Sequence, residues 1–267
     1  MKDTIQGDFI PAERHAYILE VLQRRKTVRV STLSQALGVS EITIRRDLEK
    51  LEEQGFLERT HGGAILTQRM HQEPLFVQKE RLEIEAKRAI GKAAAQLVQP
   101  GETIFINSGS TTRQIFPHLS HLRRLRVITS NAAAIAELGN HAESIELILV
   151  GGTYRWQSNS FVGPIALATI AQINASKTFL GVDGISIQHG LTTPIQEEAE
   201  VARAMIAQTR GSIIVVADHT KIGVVAEFVT CPLQRIETLV TDARLNREWR
   251  QALKERGIRI ILADLKA

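Results

Sequence analysis

The sequence predicts a two-domain protein, in which a small N-terminal domain of helices and one β-hairpin precedes an α/β domain with a mostly parallel sheet flanked by helices. A chain of 267 residues is long for one domain, since a typical domain has ~150 residues. The apolar pattern also changes near residues 67–81, from short, charged helical repeats to strand-like apolar runs that alternate with amphipathic helices. We therefore predict domains at 1–67 and 83–267, joined by a linker at 68–82.

The composition excludes several classes of protein. With 43% hydrophobic and 23% charged residues, the chain has the composition of an ordinary globular protein. The single cysteine, Cys231, excludes an intramolecular disulfide and favours a reducing compartment. No apolar run approaches the ~20 residues of a membrane span, and the polar N-terminus lacks a signal peptide, so we expect a cytoplasmic protein. The eight histidines are scattered without ligand spacing, so we expect no metal and no cofactor.

In the N-terminal domain the pattern predicts three short helices and a hairpin. The elements are expected, in order, at Glu13–Leu22, Val28–Val30, Ser31–Leu37, Ser40–Gln54, Leu57–Thr60 and Ala64–Leu66. Gly38 suits a tight turn before the third helix because glycine tolerates a positive φ, and Ser40 is a good N-cap. The sequence His61-Gly62-Gly63 between the last two segments is typical of a hairpin turn.

The second domain alternates apolar strands with helices. Strands are predicted at Thr103–Ile106, Leu125–Thr129, Ile145–Val150, Thr178–Val182, Ser212–Ala217 and Thr238–Thr241. Helices are predicted at Glu83–Leu97, Asn131–Leu138, Ala166–Ala171, Glu198–Gln208 and Arg247–Arg256. Apolar strands that alternate with helices indicate a mostly parallel sheet covered on both faces.

The third helix of the N-terminal domain has the features of a DNA-recognition helix. Ile44, Leu48 and Leu51 form its apolar stripe, while Thr43 and Arg46 lie three residues apart on an outward face. A helix-turn-helix places the start of its second helix in the major groove, where arginine binds guanine and a threonine methyl contacts thymine. Together with the hairpin as a wing, the arrangement predicts a winged helix-turn-helix that binds double-stranded DNA.

The candidate DNA contacts are Arg24, Arg25, Arg29, Ser40, Ile42, Thr43, Arg45, Arg46, Lys50, Arg59 and His61. The alternative is a solvated surface helix, with its arginines paired to Glu41, Glu49 or Asp47. The net charge of the chain is +4, but residues 1–67 hold ten basic and ten acidic side chains. Sequence-independent affinity comes from neutralising phosphates, so this balance argues against an architectural DNA binder.

In the second domain, the first strand opens into Asn-Ser-Gly-Ser-Thr-Thr, and a helix is expected to follow. Backbone N–H groups and hydroxyls at such a turn form a phosphate cradle. Turns after other strands are expected at the same edge, where Asp183 would accept hydrogen bonds from sugar hydroxyls and Lys221 would supply positive charge. The candidate effector-binding residues are Asn107, Ser108, Gly109, Ser110, Thr111, Thr112, Ser130, Asn131, Gly152, Asp183, Gly184 and Lys221. The alternative for each loop is an ordinary strand-to-helix connection.

Both halves carry residues of one known family. The run Val39–Leu48, followed by Gly55 and Arg59–Ala64, resembles the N-terminal signature of the DeoR family of bacterial regulators. The second half is similar to the sensor domain of that family, which is similar in fold to ribose-5-phosphate isomerase. The matching runs are Gly109–Thr112, Leu149–Gly152, Phe161–Pro164, Phe179–Gly184, Gly190–Thr193, Glu197–Glu200 and Asp218–Lys221. The chain departs from the family at Asn107, where an acidic residue is common, at Ser110, where threonine is frequent, and at Ser130, where asparagine is common.

The resemblance implies a repressor of a sugar or polyol catabolism operon, relieved by a phosphorylated sugar. Two DNA-binding heads at spaced half-sites would require at least a homodimer. The competing hypothesis is a sugar-phosphate isomerase with a DNA-binding head, for which Asp183, Glu197 and Glu198 are candidate bases by residue type alone. Because fold analogy does not supply function, we expect no enzyme and assign no catalytic residue.

Overall fold

The computed structural model describes residues 9–70, 73–138 and 144–265. The N-terminal domain is a helix-turn-helix with a wing, as predicted. Its elements are α1 (Pro11–Arg25), β1 (Thr27–Arg29), α2 (Val30–Leu37), α3 (Glu41–Glu53), β2 (Leu57–Thr60) and β3 (Gly63–Leu66). Gly38 ends α2 with a φ of 65°, and the strands form an antiparallel sheet in the order β1-β3-β2. The predicted stripe of Ile44, Leu48 and Leu51 is buried in the core of this domain.

Within the segment between the domains, residues 68–70 and 73–82 are described, and they contact the larger domain. Its elements are β4 (Gln68–Arg69) and α4 (Phe76–Arg81). Strand β4 pairs in parallel with β14 (Val224–Val225). Phe76, the first residue of α4, is buried. The wing strand β3 therefore continues almost directly into a strand of the second domain.

The second domain is built on a seven-stranded parallel sheet, which confirms the predicted α/β architecture. The order is β17-β16-β13-β10-β5-β6-β7. The strands are β5 (Thr103–Ile106), β6 (Leu125–Thr129), β7 (Ile145–Leu149), β10 (Ala175–Gly181), β13 (Thr209–Val216), β16 (Thr238–Asp242) and β17 (Arg259–Ala263). The helices are α5 (Ile84–Ala95), α6 (Ala134–Leu138), α7 (Pro164–Ala171), α8 (Gln196–Ala207) and α9 (Arg247–Lys254). Apolar clusters lie on both faces of the sheet.

Smaller strands lie beside the main sheet. Strands β8 (Thr153–Arg155) and β9 (Ser160–Val162) form a hairpin, and a separate antiparallel sheet has the order β11-β12-β15. Its members are β11 (Gly184–Ser186), β12 (Gly190–Thr193) and β15 (Phe228–Cys231). The helix expected after residues 107–112 is a 3-10 helix at Thr112–His118 that contains Pro117. Proline lacks an N–H group and its ring disfavours an α-helix interior, which accounts for the short, tight form.

The wing is bound to the second domain through a buried carboxylate. Glu58 of β2 is only 2% exposed and accepts a hydrogen bond from the hydroxyl of Ser186. It also accepts from the backbone N–H groups of Ile187, at 2.7 Å, and Gln188, at 3.4 Å, in the turn between β11 and β12. Ile65 of β3 belongs to an apolar cluster of the second domain that contains Trp249. None of the helices in the described ranges is long and apolar enough to cross a membrane.

Candidate functional site

The exposed face of α3 presents polar and apolar groups near its N-terminus. Ser40 caps the helix by accepting a hydrogen bond from the Thr43 N–H at 3.2 Å, and the two hydroxyls lie 2.9 Å apart. Ile42 is 67% exposed, although an isoleucine side chain gains nothing from water. An exposed apolar group beside hydrogen-bonding side chains suits the edge of a base pair in the major groove, where a thymine methyl is available.

The basic residues of α3 are not all used in ion pairs. Arg45 lies 3.5 Å from Glu41, in a pair that is half exposed on both sides. Arg46 and Lys50 are exposed, and within the described part of the chain their side chains have neither a hydrogen bond nor an ion pair. The alternative of a helix neutralised by its own acids therefore accounts for Arg45 but not for Arg46.

Asp47 is buried in the DNA-binding domain and joins α1 to α3. It accepts hydrogen bonds from Arg14, at 2.7 Å to Nε and 3.1 Å to Nη2, and its Oδ1 lies 3.1 Å from Nε2 of His15. The Nη1 of Arg14 donates to the Phe9 carbonyl at 2.7 Å. This pairing, which the sequence analysis did not predict, fixes the recognition helix against the first helix.

The remaining predicted DNA contacts lie in several places. Arg24 pairs with Glu20, Arg59 lies 3.5 Å from Glu49 of α3, and His61 is exposed at the tip of the wing. Arg29 pairs with Glu248 of α9 at 3.1 Å, and Arg25 lines the adjoining crevice. Arg25 and Arg29 therefore lie at the junction with the second domain, and their contacts with DNA stay a prediction.

A pocket lies where β5, β6 and β10 end, at the edge where parallel sheets bind ligands. The predicted residues that line it are Asn107, Ser108, Gly109, Ser110, Thr111, Ser130, Asp183 and Lys221. Its wall also contains residues that the sequence analysis did not single out as ligand contacts: Phe76, Lys79, Ser158, Val162, Thr192, Thr193, Glu198 and Thr230. The structure thus brings together side chains from both ends of the domain and from the interdomain segment.

The loop after β5 offers hydrogen-bond donors that the described protein does not use. The backbone N–H groups of Gly109, Ser110 and Thr111 have no acceptor among the described residues. The hydroxyls of Ser110 and Thr111 also lack a partner there, although both residues are 7% exposed. Ser108 is held in place, since its N–H donates to the hydroxyl of Ser130 at 3.0 Å. Backbone N–H groups without an acceptor in a loop that leads into a helix are suited to bind an anion.

The other predicted effector-binding residues support the walls of the pocket. Thr112 donates its hydroxyl hydrogen bond to the carbonyls of Asn107 and Gly109, and Asn131 donates from Nδ2 to the Gly109 carbonyl at 3.3 Å. A Cβ atom at Gly152 would lie 2.5 Å from the Val162 carbonyl oxygen, and one at Gly184 would lie 2.4 Å from that of Val224. These glycines are needed because backbone segments approach them closely.

Asn107 has a structural task at the position where the family commonly has an acid. Its Nδ2 donates to the Gly181 carbonyl at 2.9 Å, and its Oδ1 accepts from the Gly181 N–H at 2.7 Å. This reciprocal pair joins the ends of β5 and β10. A carboxylate has no donor for the Gly181 carbonyl, so the amide is the side chain that satisfies both groups.

Asp183 and Lys79 form a buried ion pair in the wall of the same pocket. Their Oδ1 and Nζ atoms are 2.7 Å apart, and Thr193 donates to Oδ2 of Asp183 at 3.1 Å. Burial alone would raise the pKa of Asp183, but the charges of Lys79 and Lys221 hold that pKa below its ordinary value. Burial alone would lower the pKa of Lys79, but Asp183 raises it above the ordinary value. Both groups are therefore charged at neutral pH.

A second ionic network adjoins this pair. Arg155 of β8 lies 3.0 Å from Glu73 and 3.1 Å from Glu198, and Glu198 also accepts a hydrogen bond from Ser160 at 3.0 Å. Burial raises the pKa of Glu198. By contrast, the ammonium group of Lys221 has neither a hydrogen bond nor an ion pair with any described residue. Lys221 is thus the pocket cation that remains available to an anionic ligand.

Comparison with known proteins settles the family. Residues 14–70 match the DeoR-like helix-turn-helix domain, and residues 82–243 match the DeoR C terminal sensor domain. The chain belongs to the DeoR family. This DeoR-family chain is 32% identical over 252 residues to the HTH-type transcriptional regulator GlpR of Haloferax volcanii, covering 94% of this chain and 98% of that protein. It is 31% identical to the HTH-type transcriptional repressor GlcR of Bacillus subtilis, covering 94% of this chain and 96% of the relative.

Among solved structures, the chain matches ribose 5-phosphate isomerase A from Methanocaldococcus jannaschii with 16% identity and a TM-score of 0.37, covering 51% of this chain and 53% of that one. A likeness at this level supports no conclusion about ligand or chemistry. The relatives matched over nearly the whole chain are named as transcriptional regulators. The protein is therefore a DeoR-family transcriptional regulator and not an enzyme.

Proposed function

We propose that this regulator represses a sugar or polyol catabolism operon in the cytoplasm, and that a phosphorylated sugar bound in the second domain relieves the repression. The observation that carries the effector proposal is the loop after β5, where backbone N–H groups and hydroxyls lack a partner among the described residues. Lys221 adds a positive charge to the same pocket. A phosphate brings about −2 charge and several acceptor oxygens, which match these donors.

Two observations support the proposal that this protein is a repressor: the exposed face of its DNA-binding domain and the names of its relatives. Arg46, which pairs with no described residue, and the exposed Ile42 give α3 both a charged and an apolar group for base edges. One of the matched relatives is named as a transcriptional repressor. Operators of helix-turn-helix proteins pair two half-sites with a two-fold symmetric protein, so we infer a homodimer or a higher oligomer.

The segment from residue 67 to residue 81 is proposed to transmit effector binding to the head. Its support is that this segment carries Phe76 and Lys79 into the pocket wall, while its first strand follows directly from the wing. By linkage, operator DNA must then weaken effector affinity by the factor by which the effector weakens operator affinity.

The test has two stages. Full-length protein is first screened by thermal shift against sugar and polyol phosphates, with each free sugar as the matched control, because selective binding to the native state raises its stability. An operator selected from random double-stranded DNA is then titrated with and without the compound that binds. We expect a phosphate-dependent shift and weaker operator binding. A shift with free sugars alone contradicts the phosphate proposal, and equal operator affinities contradict the coupling.

A further inference from the structure

We propose that the hairpin formed by β11 and β12 carries the effect of ligand binding from the pocket to the wing, and that Glu58 is the positioning residue through which the hairpin holds the wing. The inference rests on the proposed function for the nature of the ligand, and it adds a direct connection to the one proposed through residues 67–81. Its basis is that the two ends of one short hairpin reach the pocket and the DNA-binding head.

One end of the hairpin forms part of the pocket wall. Asp183, which precedes β11, and Thr192 and Thr193 of β12 line the pocket. The Asp183 N–H donates to the Thr192 carbonyl at 3.2 Å, and the Thr193 hydroxyl donates to the Asp183 carboxylate at 3.1 Å. A ligand that contacts any of these residues therefore acts on both strands of the hairpin.

The other end of the hairpin binds the wing. The buried carboxylate of Glu58 accepts hydrogen bonds from the Ser186 hydroxyl and from the Ile187 N–H, the latter at 2.7 Å. A longer bond, of 3.4 Å, comes from the Gln188 N–H. Ser186 also accepts from the His189 N–H at 2.9 Å, so the turn that holds the wing is itself ordered. This turn lies only about 13 Å from the pocket end, since about four residues of extended strand separate them.

The hairpin has little freedom to bend between its two ends. Its Ile185 and Leu191 are buried in the apolar cluster that also contains Ile65 of the wing strand β3. A Cβ atom at Gly184 would lie 2.4 Å from the Val224 carbonyl oxygen, so the backbone is closely packed at this point. Because packed interiors compress little, a displacement at the pocket end is passed on to the wing rather than absorbed between them.

A shift of the turn is unfavourable unless the wing moves with it. Separation would leave the carboxylate of Glu58 and the N–H groups of the turn buried without hydrogen-bond partners, which costs much more than the loss of an exposed contact. The wing, which carries the predicted DNA contacts Arg59 and His61, therefore follows the turn, and its fit to the operator changes. By linkage, operator DNA that fixes the wing must bias the hairpin in return.

The first measurement is hydrogen–deuterium exchange of the full-length protein with and without an operator duplex selected as above, and it needs no ligand in the pocket. In wild type, operator binding should change exchange rates by about fivefold or more, both in the wing and in residues 183–193. In Glu58→Leu, which removes the carboxylate but keeps a side chain of similar length, the wing should still respond and residues 183–193 should not. The control is Glu227→Leu, the same substitution at an exposed glutamate of the same crevice.

The second measurement is operator affinity by fluorescence anisotropy with and without glucose 6-phosphate, fructose 1-phosphate or fructose 6-phosphate, with the free sugars as controls. In wild type and Glu227→Leu, at least one phosphate should weaken operator binding by about fivefold or more. In Glu58→Leu this ratio of affinities should fall by about threefold or more. Calorimetric affinity of Glu58→Leu for the same phosphate without DNA should stay close to that of wild type, because Glu58 is not among the residues that line the pocket.

Thermal unfolding of each variant reports whether it folds, and Ser186→Ala, which removes one donor to Glu58, decides by the same two measurements if Glu58→Leu does not fold. An exchange response that stops at the wing in wild type overturns the inference and leaves the proposed function intact. The same conclusion follows if the folded variant keeps both the exchange response and the wild-type ratio of affinities. If none of the phosphates alters operator binding, the proposed function fails, while the exchange measurement still decides whether the hairpin joins the two sites.

Discussion

Removal of the Asp47 carboxylate is expected to destabilise the DNA-binding domain by about 3 kcal/mol. Asp47→Ala leaves the Arg14 guanidinium without the acceptor of its bonds at 2.7 and 3.1 Å, and the two side chains are only 11% and 5% exposed. Removing one partner of a buried ion pair costs roughly 3–5 kcal/mol. We expect the lower end of this range because Arg14 keeps its hydrogen bond to the Phe9 carbonyl and retains some contact with water.

The measurement is urea unfolding followed by far-UV circular dichroism, together with operator binding. Glu53→Ala is the control, because Glu53 lies on the same helix and is exposed. A double-mutant cycle with Arg14→Met isolates the pair, and we expect the two substitutions to be non-additive by about 2 kcal/mol. If Asp47→Ala is as stable as Glu53→Ala, or if the two substitutions are additive, then the pair does not hold α1 against α3.

Other parts of the molecule give further expectations. Arg46→Ala should weaken operator binding by about 1–3 kcal/mol in a fluorescence anisotropy titration and relax base preference at one position; unchanged affinity would remove Arg46 from the interface. Thr111→Asp should repel phosphate and keep the repressor on DNA, so an induced response equal to that of wild type in a reporter strain would contradict the phosphate loop. Gly63→Ala places a Cβ atom 1.8 Å from the Val28 carbonyl oxygen, whereas a Cβ at Gly62 meets nothing within 4 Å; the first should lower the unfolding free energy by about 1–3 kcal/mol and the second should not. Burial lowers the pKa of Lys87 from 10.5 to about 8. The unfolded chain therefore holds this proton more tightly, so stability should rise from about pH 8 to pH 10.5 relative to Lys87→Met, and parallel pH profiles would refute it.

Much of the scaffold follows from local pattern. The stripe of Ile44, Leu48 and Leu51 defines α3 because helical spacing alone puts these residues on one face. The strands of the parallel sheet are recognisable because both of their faces are buried, which makes them continuous apolar runs. The position of the loop after β5 was predictable for a related reason, since small hydroxyl residues and glycine follow directly after a buried strand, and its binding of phosphate stays a prediction.

The interdomain segment was not predictable as part of the pocket. Phe76 and Lys79 lie in a helix of only six residues, whose place depends on contacts with distant residues rather than on its own periodicity. The same holds for Asp47. From the sequence alone it resembles a surface acid of α3, because its partner Arg14 lies on α1, far away along the chain. Strand β17 was not predicted either. It lies at the edge of the sheet, and its buried and exposed residues alternate only weakly.

The buried carboxylate of the wing bears on how such regulators can be recombined. A chimaera cut after residue 67 would leave Glu58 without the Ser186 hydroxyl and the Ile187 and Gln188 N–H groups, and would strip Ile65 of its apolar neighbours. The head is therefore not an interchangeable module. An exchange of heads between regulators has to transfer the β11–β12 hairpin together with the wing, so the boundary that matters for engineering runs through the sensor domain.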